Sequence, residues 1–167
     1  MKNTWRLLVL FAIFALPAAL WAAKPAVRVE PSNLNGPRPL EGLTATAVVR
    51  AYLESWQSLA AAMEQNSPGL LDQDFTGTAK TKLTETMHQQ ALLGIHTRYR
   101  DHSHDLRIVF YSPEGLSVQL TDNVVYDQQV MVNGKVLATQ RVHARYIVVL
   151  TPAEQRWRVR VFQAQEE

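Results

Sequence analysis

The 167-residue sequence contains no cysteine. This absence excludes disulfide bonds, thiolate metal ligands, cysteine nucleophiles and a lipid-modified N-terminal cysteine. The stability of the folded protein must therefore come from the burial of apolar side chains, and a chain of this length can bury enough of them.

A clear excess of charge of one sign is also missing. The chain has 17 Lys and Arg residues against 15 Asp and Glu residues, and without Lys2 and Arg6 of the N-terminal segment the two numbers are both 15. Binding to phosphate backbones requires a marked cationic excess. We therefore expect no nucleic-acid partner.

Long apolar runs are absent except at the N-terminus. There an uncharged apolar stretch over residues 7–20 follows a short segment that contains Lys2 and Arg6 and no acid. This order is typical of a secretory signal, and the stretch is shorter than the ~20 residues of a membrane-spanning helix. The sequence predicts a signal peptide over residues 1–23, cleaved after Ala22 or Ala23, and a periplasmic or extracellular protein.

An uncleaved membrane anchor stays open as an alternative, because Trp21 suits the membrane interface. The protein would contact a membrane only in that case. Residues 24–43 hold four prolines and no apolar period, so they are predicted to be a disordered, Pro-rich linker. The folded domain is then expected over residues 44–167.

Helical periodicity dominates the first half of that domain. Apolar side chains recur every three or four residues from Val48 to Met63, so we predict a helix that begins at Thr44 or Thr46 and ends near Gln65. A second helix is predicted over 80–96 by the same pattern.

From Asp105 onwards the apolar side chains alternate, which is typical of strands. Turn residues divide this region into several strands, and Asn133-Gly134 is a strong signal for a tight hairpin. Helices followed by an antiparallel meander predict an α+β fold in which the helices cover one face of a curved sheet.

The pattern resembles the nuclear transport factor 2-like superfamily, which includes SnoaL-like proteins. The resemblance rests on the long amphipathic first helix that begins Ala45-Thr46-Ala47-Val48-Val49, and on the closing segments Tyr146–Leu150 and Arg156–Val159. The order of elements is similar to that of ARC6-like intermembrane-space domains. This resemblance implies a cone-shaped fold, which in that superfamily hosts both ketosteroid isomerase-like enzymes and non-catalytic binding domains.

An apolar ligand pocket inside the cone is one candidate site. Its expected lining consists of four aromatic residues: Tyr52, Trp56, Tyr146 and Trp157. Catalysis in the manner of ketosteroid isomerase would need a carboxylate or His base and a Tyr hydroxyl in such a pocket. Asp101 or Asp127 could supply the carboxylate, but no motif connects them with a tyrosine, so we predict no catalytic residue. The alternative is a core that these aromatic side chains fill.

A row of cations on neighbouring strands is the second candidate site. Arg141, His143 and Arg145 alternate along one predicted strand, and Arg158 and Arg160 alternate along the next. If the two strands present them on the same side, they form a basic surface that suits an acidic protein partner. A solvated outer face of the sheet is the alternative.

The segment Asp101-His102-Ser103-His104-Asp105 is a weak candidate for a metal site. In an extended chain the two histidines would share a face, with His96, His143 or a carboxylate as a third ligand. The favoured interpretation is a solvated loop that ends the helical region. The sequence therefore predicts no bound metal and no cofactor.

These observations favour an exported, non-enzymatic binding or scaffold domain that acts through its sheet surface or its cone. Its partner would be a protein or a small apolar ligand, and a homodimer stays open. Two alternatives remain: a ketosteroid isomerase-like or SnoaL-like enzyme, and a membrane-anchored periplasmic assembly component that resembles VirB8.

Overall fold

The computed structural model describes residues 24–31, 34 and 38–165, so the predicted signal peptide lies outside the described residues. In chain order the elements are β1 (Ala26–Val29), α1 (Gly42–Gln65), a 3₁₀ turn (Pro68–Leu71), α2 (Gly77–Leu92), β2 (Ile95–Tyr111), β3 (Val118–Val132), β4 (Lys135–Pro152) and β5 (Trp157–Gln165). The predicted α+β class with helices on a curved sheet is confirmed. Within the described residues, no helix combines the length and hydropathy that are needed to span a bilayer.

The sheet has the strand order β1-β2-β3-β4-β5. Strands β2 to β5 form an antiparallel meander, and β1 pairs with β2 in parallel. The predicted disordered linker over 24–43 is therefore wrong for Ala26–Val29. These four residues lie at the edge of the sheet with their side chains exposed, and the alternation of Val27 and Val29 with Arg28 is too short to identify a strand in the sequence.

Helix α1 packs one face against the inner surface of the sheet. The buried positions include Val48, Tyr52, Trp56 and Leu59, spaced three or four residues apart as predicted. The start of the helix differs from the prediction, because it begins at Gly42. The hydroxyl of Thr46 donates to the carbonyl oxygen of Gly42, 2.9 Å away inside the helix, and therefore does not cap it.

Strand β2 begins ten residues earlier than predicted, at Ile95. The second helix begins three residues earlier than predicted, at Gly77, and ends four residues earlier, at Leu92. The buried side chains in the first part of β2 include Thr97 and His104. Because these inward-facing residues are polar, the strand lacks the alternation of apolar and polar side chains that would have identified it.

Bulges bend the sheet around the helices. The register shifts between Asp101 and Ser103, between Ile108 and Phe110, and at one point each in the β3–β4 and β4–β5 pairs. Each bulge adds local twist and curvature to a strand. The hydrophobic core fills the concave side that results, between α1, α2 and strands β2 to β5.

Candidate functional site

Aromatic side chains fill the centre of the cone. The ring of Trp56 lies 5.6 Å from that of Tyr126, 5.6 Å from Tyr146 and 5.5 Å from Phe162, measured between centroids. Tyr146 and Phe162 stack on each other at 4.4 Å. Edge-to-face and stacked pairs at these distances are favourable beyond the area that they bury. The interior is therefore a packed aromatic core.

A polar network is buried beside this core. The hydroxyl of Tyr52 on α1 donates to Oδ2 of Asp122 on β3 across 2.7 Å. Nδ1 of His104 on β2 lies 2.7 Å from the same oxygen, and its Nε2 lies 3.8 Å from Oδ2 of Asp101. Tyr52, His104 and Asp122 are each at most 1% exposed. Helix α1 and strands β2 and β3 thus bring a hydroxyl, an imidazole and a carboxyl group together.

The network holds His104 in its charged form. Burial by itself lowers the pKa of His104, but the carboxylates of Asp101 and Asp122 outweigh this effect and raise the pKa to about 9. Burial, and then the negative charge of Asp122, raise the pKa of Tyr52 well above its usual value. At neutral pH the centre therefore consists of an imidazolium, a carboxylate and a neutral phenol.

Within the described part of the chain, four polar atoms around this network find no hydrogen-bond partner: Nε2 of His104, Oδ1 of Asp122, Oδ1 of Asp101 and Nε1 of Trp56. Buried polar atoms are normally satisfied, so these four have unused hydrogen-bonding capacity. An imidazolium next to a carboxylate can transfer a proton to a bound substrate. Such chemistry would require a substrate to reach His104 through the aromatic packing.

The four residues predicted to line an apolar pocket do not all meet. Tyr52 and Trp56 are buried in the filled interior, and the partly buried Tyr146 packs against the ring of Trp56. Trp157 is only half buried and lies at the start of β5, where it lines a surface groove of about 460 Å³ together with Arg50 and Glu54 of α1. The structure therefore separates Trp157 from the other three.

The two candidate metal ligands point to opposite sides of the sheet. His104 is buried inside, whereas His102 reaches the outer face, where its Nε2 lies 2.7 Å from Oδ2 of Asp127. The β-bulge between Asp101 and Ser103 inserts His102 as an extra residue in the strand. Side chains two positions apart therefore no longer share a face of the sheet at this point. Both interpretations of the segment are therefore wrong: it is part of β2, and its histidines cannot chelate one ion. In the ranges that the structure describes, no group of three or more His, Asp or Glu side chains could hold a metal.

The outer face of the sheet carries the cations predicted along β4. Arg141, His143 and Arg145 alternate on β4 and are exposed. Nε of Arg141 donates to Oδ1 of Asp127 across 2.9 Å. Hydrogen bonds from Arg141 and His102 lower the pKa of Asp127 to about 2. Asp127 therefore remains ionised as an acceptor within the row.

The arginines of β5 do not extend this row. Arg145 pairs with Gln165, whereas Arg158 lies opposite Thr151, six positions further along β4 and so roughly 20 Å away. Nε of Arg158 donates to the carbonyl oxygen of Gln73, and the side chain of Arg160 lies against Gly77 at the start of α2. The prediction of a single basic surface that includes β5 is therefore wrong, because antiparallel pairing places these arginines at the other end of β4.

Sequence reasoning missed Asp122, the acceptor at the centre of the buried network. One signal was present: Leu120, Asp122, Val124 and Tyr126 occupy successive inward-facing positions of β3 and are all buried. A carboxylate in a row of core positions must have a buried partner. The sequence could not identify that partner, since Tyr52 lies 70 residues away.

The sequence matches no known family model and no curated protein. Solved structures resemble it. The intermembrane-space region of the chloroplast protein ARC6 matches with a TM-score of 0.61, over 78% of this chain and 100% of that one, at 13% identity. A putative scytalone dehydratase from Novosphingobium aromaticivorans DSM 12444 matches with a TM-score of 0.52, over 75% of this chain and 89% of that one, at 11% identity. The predicted nuclear transport factor 2-like fold is therefore confirmed, and identities this low indicate the fold alone.

Proposed function

We propose that this protein is an exported, non-enzymatic domain that binds a protein partner on the outer face of its sheet, around Arg141, His143 and Arg145. The observation that carries the proposal is a contrast between the two sides of the sheet. On the inner side, Trp56 and its aromatic neighbours occupy the space that a substrate would need. On the outer side, an exposed row of cations lies on regular strands that hold it in place.

Export is the part of the proposal that rests on sequence. The basic start and the short apolar run of residues 1–23 favour secretion and cleavage. N-terminal sequencing of protein recovered outside the cytoplasm tests this part. Mature protein that begins at residue 23 or 24 would support it, and recovery of intact protein in the membrane fraction would favour the anchored assembly component.

Partner capture tests the binding face. The double variant Arg141→Glu with Arg145→Glu reverses the charge of the row. Position 141 lies opposite Asp127, so thermal unfolding first establishes that the variant is folded at the temperature of the assay. The matched control is Arg50→Glu with Lys82→Glu, which makes the same change in net charge on exposed positions of the helices. Chemical cross-linking in extracts of the exported compartment should recover a defined partner with the parent and the control, and at least ten-fold less with the sheet variant.

Equal capture by the sheet variant would place the contact elsewhere on the domain. Raised salt should also weaken capture by the parent, since exposed charges are screened beyond about 8–10 Å at physiological ionic strength.

A small-molecule enzyme is the second candidate, and the buried network favours it. His104, Asp122 and Tyr52 are an acid, a carboxylate and a hydroxyl within hydrogen-bonding reach, and two of their polar atoms lack partners in the ranges that the structure describes. Titration with small cyclic ketones and phenols, followed by the NMR signals of the His104 ring, tests this candidate. A specific, saturable shift together with turnover would replace the binding proposal.

A further inference from the structure

Among the residues that the structure describes, half of strand β4 has no neighbouring strand on one side. The strand extends from Lys135 to Pro152, but β5 pairs with it only from Arg145 onwards. Over Lys135–Ala144, β3 is the one strand that pairs with β4 among the described residues. Every second residue of Lys135–Ala144 therefore directs its backbone N–H and C=O groups away from β3 to an open edge, which is a template for another extended chain.

The side chains along this edge are also accessible. Every residue from Lys135 to Arg141 is exposed, which includes those on both faces of the strand. Val136 is 47% exposed and Leu137 67%. A strand in the middle of a sheet would bury at least one face, so this segment has apolar surface available to an additional strand.

The charge along the strand indicates what kind of chain would pair there. Strand β4 contains Lys135, Arg141, His143 and Arg145 and no Asp or Glu. Asp127 compensates Arg141, but Lys135 and Arg145 have no carboxylate within 4 Å in the part of the chain that the structure describes. Side chains two residues apart share a face, and cross-strand neighbours approach to about 5 Å. An added strand with acidic side chains at every second position would match this row.

A second copy of the chain is a poorer occupant. If the open edge paired antiparallel with itself over Lys135–Ala144, two strands that contain cations and no Asp or Glu would lie side by side. Like charges on neighbouring strands destabilise a strand pair. The same cations would favour an acidic chain, so the edge discriminates between the two occupants.

From these observations we propose that the open edge of β4, over Lys135–Ala144, binds an extended acidic segment of a partner protein as an additional β-strand, with its carboxylates on Arg141, His143 and Arg145. This inference rests on the proposed binding function and adds the binding mode and the chemistry of the partner. The backbone of the edge provides the affinity, and the cations select acidic segments.

The test uses a fluorescent, end-capped ten-residue peptide of alternating Thr and Glu, with a peptide of alternating Thr and Lys as its control. In fluorescence anisotropy the Glu peptide should bind at least ten-fold more tightly than the Lys peptide. The variant Arg141→Glu with Arg145→Glu should remove this preference. In amide hydrogen exchange, every second residue of the edge should become protected when the Glu peptide binds, because alternate N–H groups point away from β3.

Proline substitution separates strand pairing from simple charge attraction. Of the neighbouring residues Thr139 and Gln140, one directs its N–H towards β3 and the other towards the open edge. Both Thr139→Pro and Gln140→Pro are prepared. The variant that keeps the thermal stability of the parent has its proline at the N–H that faces the open edge, and we call it the edge variant. It retains all the cations, yet it should bind the Glu peptide at least ten-fold more weakly than the parent.

Equal binding of the Glu peptide by the edge variant would overturn strand addition and leave the binding face intact. Failure of the Glu peptide to bind, while cross-linking still captures a partner that depends on Arg141 and Arg145, would overturn the proposed occupant but not the proposed function. A stable dimer in analytical ultracentrifugation that the edge variant abolishes would assign the edge to a second copy, which would also overturn the inference.

Discussion

The hydroxyl of Tyr52 and Nδ1 of His104 donate to the same oxygen, Oδ2 of Asp122, each across 2.7 Å. This shared acceptor joins α1, β2 and β3 at the centre of the domain. Because Asp122 is fully buried, its charge is tolerated only while both donors are present. The stability of the fold therefore depends on a polar contact inside an aromatic core.

The first prediction concerns the phenol. Tyr52→Phe removes one hydrogen bond to a buried carboxylate and leaves the ring packing in place. We expect a loss of about 1–3 kcal/mol in the free energy of unfolding, as for hydrogen bonds to charged groups. Urea denaturation of parent and variant measures it. Tyr111→Phe is the matched control, since that hydroxyl lies away from Asp122, and it should change stability much less.

The second prediction concerns pH. The pKa of His104 is about 9 in the folded protein, above the value of about 6.5 for an unperturbed histidine. A raised pKa means that its stabilising contribution is fully present below about pH 6.5 and is lost as pH rises through about 9, by up to about 3 kcal/mol. The free energy of unfolding of the parent, relative to that of His104→Gln, should fall between pH 6 and pH 9.5.

Direct titration of the His104 ring by NMR provides the check on this pH dependence. A midpoint near 6.5 would contradict the ion pair, and the difference in stability between parent and variant would then stay constant over the same range.

The third prediction compares two tryptophans. Trp56 is 2% exposed, so Trp56→Ala should cost about 3–5 kcal/mol by leaving a cavity among the aromatic rings. Trp157 is half buried at the surface groove, so Trp157→Ala should cost only about 1–2 kcal/mol. Chemical denaturation of both variants tests this order. Equal losses for the two would mean that Trp157 belongs to the core.

The fourth prediction concerns the hairpin that connects β3 to the open edge of β4. Gly134 has φ of +74°, and Asn133 has φ of +49°. A side chain is strained in this region, so Gly134→Val should cost about 1–2 kcal/mol. Gly42→Ala is the control, because an added Cβ there meets no atom within 4 Å. Thermal unfolding should show a lower Tm for the first variant alone.

Local patterns in the sequence were sufficient to predict several elements of the fold. The spacing of Val48, Tyr52 and Trp56 predicts the buried face of α1, and Asn133-Gly134 predicts the hairpin that the structure contains. Both depend on interactions within a few residues, where helix periodicity and turn conformation act directly. The absence of cysteine likewise excludes disulfides and thiolate chemistry, because both need that side chain however the chain folds.

Tertiary structure alone decided how the candidate residues are placed. A bulge between Asp101 and Ser103 sends His102 outwards and His104 inwards, and the register of the β4–β5 pair separates Arg158 from Arg145. Among the described residues, β5 pairs with only the second half of β4, so the first half is an open edge. Register, bulges and strand length depend on packing between segments far apart in sequence, so no local pattern determines them.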